Sequence, residues 1–224
     1  FALAWPLACN ALLVQSMLMI DTLLVAPLGE LAVAALGISG TIVAFVLGVE
    51  IAIGNGVQLL IGRASGSKSQ ADLAVAYRSG LFINVSSSVV FFLLLTFFSG
   101  NLISAITNNA ELALLAESYI SITKYIVLIS AYTQVCTAYF NGCGNTKIPL
   151  IGFLFELPIN AVLSYLLIFG IGDYSGLGLA GAAWGSLFAV FLRAVFLNFA
   201  LKNDKNIDLT YPQKRPFLIE LRPQ

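Results

Sequence analysis

The sequence contains no histidine, only three cysteines and few charged residues, and each shortage excludes a class of site or protein. Without histidine there is no His-ligated metal site and no histidine proton switch. The cysteines are odd in number and form no C-x-x-C pair, so they indicate neither a disulfide framework nor a zinc cluster. Charged residues make up 10% of the chain, against about 25% in an ordinary soluble domain.

Apolar residues, in contrast, are abundant: they make up 59% of the 224 residues. A soluble protein of this size cannot hide that much apolar surface, because its surface-to-volume ratio forces many side chains into water. The composition therefore excludes a soluble enzyme and a disordered tail. Eleven basic residues balance eleven acidic ones, so the basic surplus of a nucleic-acid binder is missing. An integral membrane protein with several spans remains.

Six apolar runs are long enough to cross ~30 Å of hydrocarbon. They occupy residues 1–27, 31–61, 77–98, 112–140, 148–170 and 177–201. None alternates apolar and polar residues, which favours helices over the strands of a transmembrane barrel. We predict an all-α integral membrane protein, with a six-helix domain at 1–201 and a polar linker at 202–224.

The basic residues between the predicted spans indicate the orientation. Nine of the eleven fall on one side of the membrane, namely Arg63, Lys68, Arg78, Lys147, Lys202, Lys205, Lys214, Arg215 and Arg222. The first, third and fifth loops contain no Lys or Arg. Since basic loops stay in the cytoplasm, both ends of the chain are expected there.

Several acidic side chains lie inside predicted spans, where a charge costs roughly 2.5–3.5 kcal/mol on insertion scales. Asp21, in the outer half of span one, either reaches the outer surface or faces a cavity and binds a proton or cation. Glu50, in a glycine-rich part of span two, lines a substrate cavity or forms a structural hydrogen bond. Glu156, Asn160 and Ser164 share one face of span five. That face either contributes to transport or forms hydrogen bonds between helices.

Span four carries two further features. Glu117 and Lys124 are seven residues apart and share a face, and we expect Lys124 to form an ion pair with a carboxylate. Tyr125, Tyr132 and Tyr139 also recur at intervals of seven. This stripe either lines a pocket for flat apolar cations, with Tyr132 in the substrate cavity, or packs in the core.

The loop after span four resembles a known family motif. Residues 141–149, with the sequence NGCGNTKIP, resemble the G-x-G-x-T-K-x-P loop of the multidrug and toxic compound extrusion (MATE) transporters. Pro6 with DTLLV at 21–25 is similar to the family's P…V-D-T-x-x-V in span one. NAVLSYLLIFG at 160–170 and GLAGAAWGS at 178–186 are similar to N-x-x-L-N-Y-x-L-I-F-G and G-x-x-G-A-A-x-A-T. The four segments stand in the family's order.

The resemblance implies an architecture and an activity. Family members have twelve spans in two pseudosymmetric six-span lobes, so this chain is expected to be the first lobe, with the second in the same polypeptide. It implies a multi-pass protein of the plasma membrane, the inner membrane of a bacterium. It also implies an antiporter, not an enzyme, that exports organic cations and other amphipathic drugs in exchange for protons or sodium ions. Its partners would be drugs and lipid rather than nucleic acid, and it would need no cofactor beyond the coupling ion.

The resemblance also assigns site residues. The cation site of the family's first lobe corresponds to Asp21, Asn160 and Ser186, with no metal implied beyond a sodium ion at Asp21. Ser164 stands where the family often has Asp or Asn, which leaves fewer charged ligands and favours proton coupling. Pro6 corresponds to a proline associated with bending of span one, and we treat it as a hinge.

Two other functions remain open from the sequence. A lipid-linked oligosaccharide flippase of the same superfamily is expected to have a strongly basic cavity for pyrophosphate, whereas the spans here hold only Lys124 and Arg193. A non-transporting membrane scaffold has no need for a buried acid beside a polar stripe. An intramembrane enzyme is not indicated, because HExxH and GxSxG motifs are missing.

Overall fold

A computed structural model describes residues 4–172 and 174–204 and contains the six expected helices. They are α1 (Ala4–Val25), α2 (Glu30–Gly66), α3 (Gln70–Ile106), α4 (Ala110–Gly142), α5 (Lys147–Phe169) and α6 (Leu179–Lys202). A 3₁₀ turn, Ala26–Leu28, joins α1 to α2, and a small antiparallel hairpin of β1 (Gly170–Ile171) and β2 (Tyr174–Ser175) joins α5 to α6. The linker predicted at 202–224 lies outside the described residues beyond position 204.

Five helices, α2 to α6, are long and apolar enough to cross a membrane, and α1 has 22 residues. The fold thus confirms the all-helical membrane class. α2 and α3 have 37 residues each, about 55 Å at 1.5 Å per residue, so they extend beyond ~30 Å of hydrocarbon. This explains why span three, predicted at 77–98, was too short. The apolar run stops near Arg78, but the helix continues to an N-cap at Ser69, whose Oγ accepts from the Asp72 N–H.

The helices form two groups of three. One contains α2, α3 and α4, the other contains α1, α5 and α6, and packing of α4 against α6 joins them. Two clusters of buried apolar residues fill the lobe. The first lies toward the α1–α2 turn and includes Val25, Leu36, Ile103, Ile120, Ile168 and Ala182. The second lies toward the α2–α3 and α4–α5 turns and includes Ile61, Leu73, Tyr139, Phe140 and Leu197.

The 141–149 segment, which carries the family resemblance, is a close helix contact followed by a tight turn. A Cβ atom at Gly142 would lie 2.7 Å from Cγ2 of Ile61, so α4 can approach α2 this closely only with glycine there. Gly144 has φ 81°, a left-handed conformation that favours glycine. The N–H of Asn145 donates to the carbonyl of Phe140 at 2.8 Å and closes the turn before α5.

Candidate functional site

Three of the predicted cation-site residues meet between α1, α5 and α6. Ser186 Oγ donates to Asp21 Oδ2 at 3.5 Å, and Asn160 Nδ2 donates to Ser186 Oγ at 2.8 Å. All three side chains are buried, with Asp21 only 7% exposed. Asp21 is therefore not reaching toward the outer surface, which was one of its two interpretations. It faces the protein interior, where a carboxylate needs polar partners.

Close packing of α5 against α6 positions this cluster. A Cβ atom at Gly185 would overlap Ser164, and one at Gly181 would overlap the backbone of Leu167. The two helices therefore approach each other at backbone distance. The contact places Ser164 against the residue that precedes Ser186. All four predicted site residues thus belong to one buried cluster, which we call the Asp21 cluster: Asp21, Asn160, Ser164 and Ser186.

The Asp21 cluster contains more acceptors than donors. Asp21 Oδ1, Asn160 Oδ1 and Ser164 Oγ are buried and have no hydrogen-bond partner. Buried polar atoms are almost always paired in folded proteins. An oxygen-rich cluster with a carboxylate is suited to a proton or a hard cation such as sodium. Among the described residues, no group of three or more His, Cys, Asp or Glu side chains forms a metal site.

Sequence reasoning missed one neighbour of this cluster. Tyr119 of α4 is buried, 6% exposed, and interacts electrostatically with Asp21. It lies in the same span as the i+7 tyrosine stripe, but six residues before the first tyrosine of that stripe. Its spacing therefore did not mark it as a site residue. Through Tyr119, α4 extends to the cluster built by the other three helices.

A buried ion pair lies about one helical turn before Asn160 on α5. Arg193 Nη1 and Glu156 Oε2 are 2.9 Å apart, and the two side chains are 6% and 2% exposed. Arg193 Nη2 also donates to Thr133 Oγ1 at 2.8 Å, and the guanidinium lies 4.2 Å from the ring centroid of Phe153. The polar face of α5, from Glu156 to Ser164, is buried along its whole length. It faces protein.

A cavity of about 200 Å³ borders this ion pair. Its wall is mostly apolar and aromatic, and is formed by Gly152, Phe155, Glu156, Ile159, Ala189, Leu192, Arg193 and Phe196. The rings of Phe155 and Phe196 are tilted against each other with centroids 6.3 Å apart. Of the predicted substrate-cavity residues, Glu156 lines this cavity, whereas Glu50 and Tyr132 do not.

Glu50 and Tyr132 have partners inside the lobe. Ser130 Oγ of α4 donates to Glu50 Oε2, so the predicted hydrogen bond to a neighbouring helix exists. Tyr132 is half-buried and donates to Asn198 Oδ1 at 2.9 Å. Pro6 lies in the first turns of α1, but its side chain is outside the described part of the chain. Its role as a hinge stays a prediction.

The ion pair expected for Lys124 was wrong. In the described part of the chain the salt bridge is formed by the other cation of the spans, Arg193, and Lys124 contacts aromatic rings instead. The Lys124 amine lies 5.6 Å from the ring centroids of both Phe92 and Tyr125. Because Lys124 is only half-buried, its long stem can cover apolar surface without burying the charge. Aromatic faces then supply the electrostatic contact.

Comparison with known proteins agrees with this geometry. Residues 6–166 match the MatE family model. The chain is 26% identical over 199 residues to a probable multidrug resistance protein NorM of Halalkalibacterium halodurans, covering 88% of this chain and 43% of that protein. It is 24% identical over 221 residues to the uncharacterized transporter YisQ of Bacillus subtilis, covering 97% and 47%.

The fold is also similar to that of MATE structures. The chain superposes on a crystal structure of MATE in the bent conformation with a TM-score of 0.87 at 20% identity, covering 96% of this chain and 47% of that one. The chain thus spans about half the length of the curated relatives it matches. Together with the apolar helices, the match makes it a multi-pass membrane protein. The chain belongs to the MATE family, whose members are transporters and not enzymes.

Proposed function

We propose that this chain is one lobe of a cation-coupled antiporter that exports organic cations and other amphipathic drugs. The observation that carries the proposal is the Asp21 cluster. It has a buried carboxylate, two bonded polar neighbours and three oxygens without partners. In this proposal a proton or sodium ion enters from outside and binds Asp21 Oδ1, assisted by Asn160, Ser164 and Ser186.

Charge provides the coupling. Binding of the ion neutralises Asp21, and the loss of a buried negative charge favours a different position of α1, which carries Asp21, relative to α5 and α6. Pro6 is the proposed hinge of that movement. The rearrangement lowers the affinity for a bound cationic drug, which then leaves. If the ion crosses fully, the membrane potential contributes ~2.3 kcal/mol per charge per 100 mV.

The cavity beside Glu156 supports the drug-binding part of the proposal. Its aromatic wall suits flat apolar rings, and its volume of about 200 Å³ accommodates a ring system rather than a whole drug. A drug would therefore contact this cavity with one part and a second surface with another. We propose that the second surface belongs to a second six-helix lobe. Glu50 and Tyr132 stay predicted substrate residues.

We further propose that the protein resides in a bacterial inner membrane with both ends of the chain in the cytoplasm, as the basic loops indicate. The flippase alternative receives no support from the buried charges. Arg193, the more buried of the two span cations, is already paired with Glu156 and bonded to Thr133. A pyrophosphate group would find no free basic site there.

Replacement of Asp21 tests the proposal. Asp21→Asn preserves the shape of the protonated carboxyl but cannot exchange a proton or offer a charge to sodium. We expect normal folding and loss of drug efflux from proteoliposomes under an imposed proton gradient and under a sodium gradient. Glu111→Gln, which changes an exposed acid in the first turn of α4, is the matched control and should leave efflux unchanged. Efflux by Asp21→Asn at the wild-type rate under both gradients would refute the role of the Asp21 cluster.

A further inference from the structure

A second buried acid lies in the other three-helix group. Glu50 of α2 is 0% exposed, and its side-chain partner is Ser130 of α4. One hydroxyl donor does not neutralise a carboxylate. An unpaired charge buried in a protein costs much free energy unless it is compensated by an opposite charge, a proton or an ion.

None of the basic side chains in the described part of the lobe neutralises Glu50. The ion pair of α6 is between Arg193 and Glu156. Lys124 of α4 is half-buried over two aromatic rings. Arg63 and Arg78 lie at the cytoplasmic ends of α2 and α3, together with the acidic Asp72, and Glu117 of α4 is exposed. The groups that influence the Glu50 carboxyl are its own buried surroundings and the Ser130 hydroxyl.

Asn84 of α3 completes the arrangement. Its Nδ2 donates to the backbone carbonyl of Glu50 at 3.5 Å and to that of Ala131 at 3.3 Å. These two carbonyls fix the orientation of the amide, because a flipped amide would place oxygen against oxygen. Asn84 Oδ1 is therefore left without a donor, and so is Glu50 Oε1. Two buried side-chain oxygens in one network thus have neither a hydrogen-bond donor nor a cation beside them, which is rare in folded proteins.

We propose that Glu50, Asn84 and Ser130 form a second cation-binding site, separate from the Asp21 cluster. Its ligand is a proton or a sodium ion, since both suit a set made only of carboxyl, amide and hydroxyl oxygens. A proton on Glu50 Oε1 would convert an unpaired acceptor into a donor. A sodium ion would instead take Glu50 Oε1 as its charged ligand.

The burial of the site decides the size of its ligand. Glu50 and Asn84 are 0% exposed and Ser130 is 4% exposed. Glu50 is not accessible to an organic cation in this structure, so the proposed ligand is a small ion, and the assignment is separate from the predicted drug contact at Glu50. The site lies among α2, α3 and α4, whereas the Asp21 cluster lies among α1, α5 and α6. It does not rest on the proposed transport function, because binding of a cation can be measured without transport.

The experiment measures thermal unfolding of the purified protein in detergent, at several pH values without sodium and at several sodium concentrations at high pH. It is done in the Asp21→Asn background, so that the Asp21 cluster does not contribute. We expect the melting temperature of Asp21→Asn still to rise with added protons or with added sodium. Adding Glu50→Gln, which resembles the neutral carboxyl, should abolish that rise.

The pH series and the sodium series distinguish proton binding from sodium binding. A response to pH without sodium, with an infrared carbonyl band of a protonated carboxyl that Glu50→Gln removes, identifies the proton. A response to sodium at high pH identifies sodium. If Asp21→Asn alone removes the whole response and Glu50→Gln alone keeps that of the wild type, the second site does not exist. Loss of the second site would leave the proposed role of the Asp21 cluster intact. Conversely, wild-type efflux by Asp21→Asn would refute the role of the Asp21 cluster and leave the second site untouched.

Two serines provide a test that survives poor folding of Glu50→Gln. Ser130→Ala removes a ligand and should raise the cation concentration for half-maximal stabilisation by about tenfold, as loss of a hydrogen bond to a charged group does. Ser88→Ala is the matched control. Ser88 lies one turn from Asn84, is buried in the same α3–α4 interface and donates to the Val127 carbonyl at 3.1 Å. It should lower stability without changing the cation dependence, and equal shifts for both variants would overturn the proposal.

Discussion

Arg193 and Glu156 form a buried ion pair that joins α6 to α5 inside the membrane-spanning part of the lobe, with 2.9 Å between Nη1 and Oε2. Arg193 lies nine positions before the last residue of α6, Lys202, and Glu156 lies nine positions after the first residue of α5, Lys147, which is about 13 Å along each helix axis. Both side chains are almost fully buried, so each charge depends on the other for compensation. The pair therefore explains how two ionised groups persist there.

Removal of one partner should destabilise the protein far more than removal of both. Arg193→Met leaves Glu156 unpaired, and we expect a loss of about 3–5 kcal/mol in the free energy of unfolding. The double variant Arg193→Met/Glu156→Met should recover most of that loss, since it leaves no buried charge. Unfolding in detergent, analysed as a double-mutant cycle, measures both.

Lys124→Met is the control for this prediction. It removes the other cation of the spans, which is half-buried and lies over the rings of Phe92 and Tyr125, so its cost should stay below about 1 kcal/mol. A loss at Lys124 equal to that at Arg193 would mean that depth in the membrane, rather than pairing, determines the cost.

Ser186 should set the affinity for the coupling ion, because its hydroxyl bonds to both Asp21 and Asn160. Ser186→Ala leaves both partners with unpaired polar atoms, and we expect the half-saturating ion concentration for efflux to rise by about tenfold. Ser186→Thr retains the hydroxyl and should restore the wild-type value. Ser39→Ala, which removes a buried hydroxyl bonded within its own helix, should have no effect on ion dependence. Failure of Thr to rescue would show that size, not the hydroxyl, matters at position 186.

The α5–α6 contact should tolerate no side chain at Gly185. A Cβ atom there would overlap Ser164, so Gly185→Ala must push the helices apart, at a cost of roughly 1–3 kcal/mol. Gly37→Ala, at a helical glycine with open space around it, should be neutral or stabilise by up to about 1 kcal/mol. Thermal unfolding in detergent compares the two. Equal effects of both substitutions would contradict the close packing.

The proposed orientation is tested by labelling single cysteines in a cysteine-free background with a membrane-impermeant maleimide. Lys68→Cys and Lys147→Cys, in the basic loops, should react only after the cells are opened. Glu111→Cys, in the exposed first turn of α4 beside the third loop, should react in intact cells. Labelling of positions 68 and 147 from outside would reverse the topology.

The sequence predicted the helices well and their contacts poorly. Long apolar runs indicate six helices because the membrane demands a minimum length of apolar chain. They do not indicate which faces meet. Arg193 was identified as a cation inside a span but was given no partner, since its pairing with Glu156 depends on the relative rotation of α5 and α6. Lys124 was assigned an ion pair because the rings of neighbouring residues are not visible as partners in the sequence.

For the Asp21 cluster, too, the sequence indicated the residues but not their contacts. The union of Asp21, Asn160 and Ser186 came from resemblance to a family, not from spacing, because the residues lie on three helices up to 165 positions apart. Asn84, in contrast, offered a usable signal. A lone amide in the middle of an apolar span needs partners, yet Ser130, its neighbour in the network around Glu50, looks like any other small residue in a helix.

The backbone contact between α5 and α6 has a consequence for ion selectivity. Ser164 and Gly185 touch, and the N–H of Leu177 donates to the Leu167 carbonyl at 2.8 Å, so the two helices are held together near the hairpin that joins them. We therefore expect the ligand oxygens carried by α5 and α6 to keep a constant spacing. Asp21 is carried by α1, which lies outside this α5–α6 contact. Discrimination between ions of different radius would then reside in the uncharged ligands, and the carboxylate would determine how tightly the chosen ion is held.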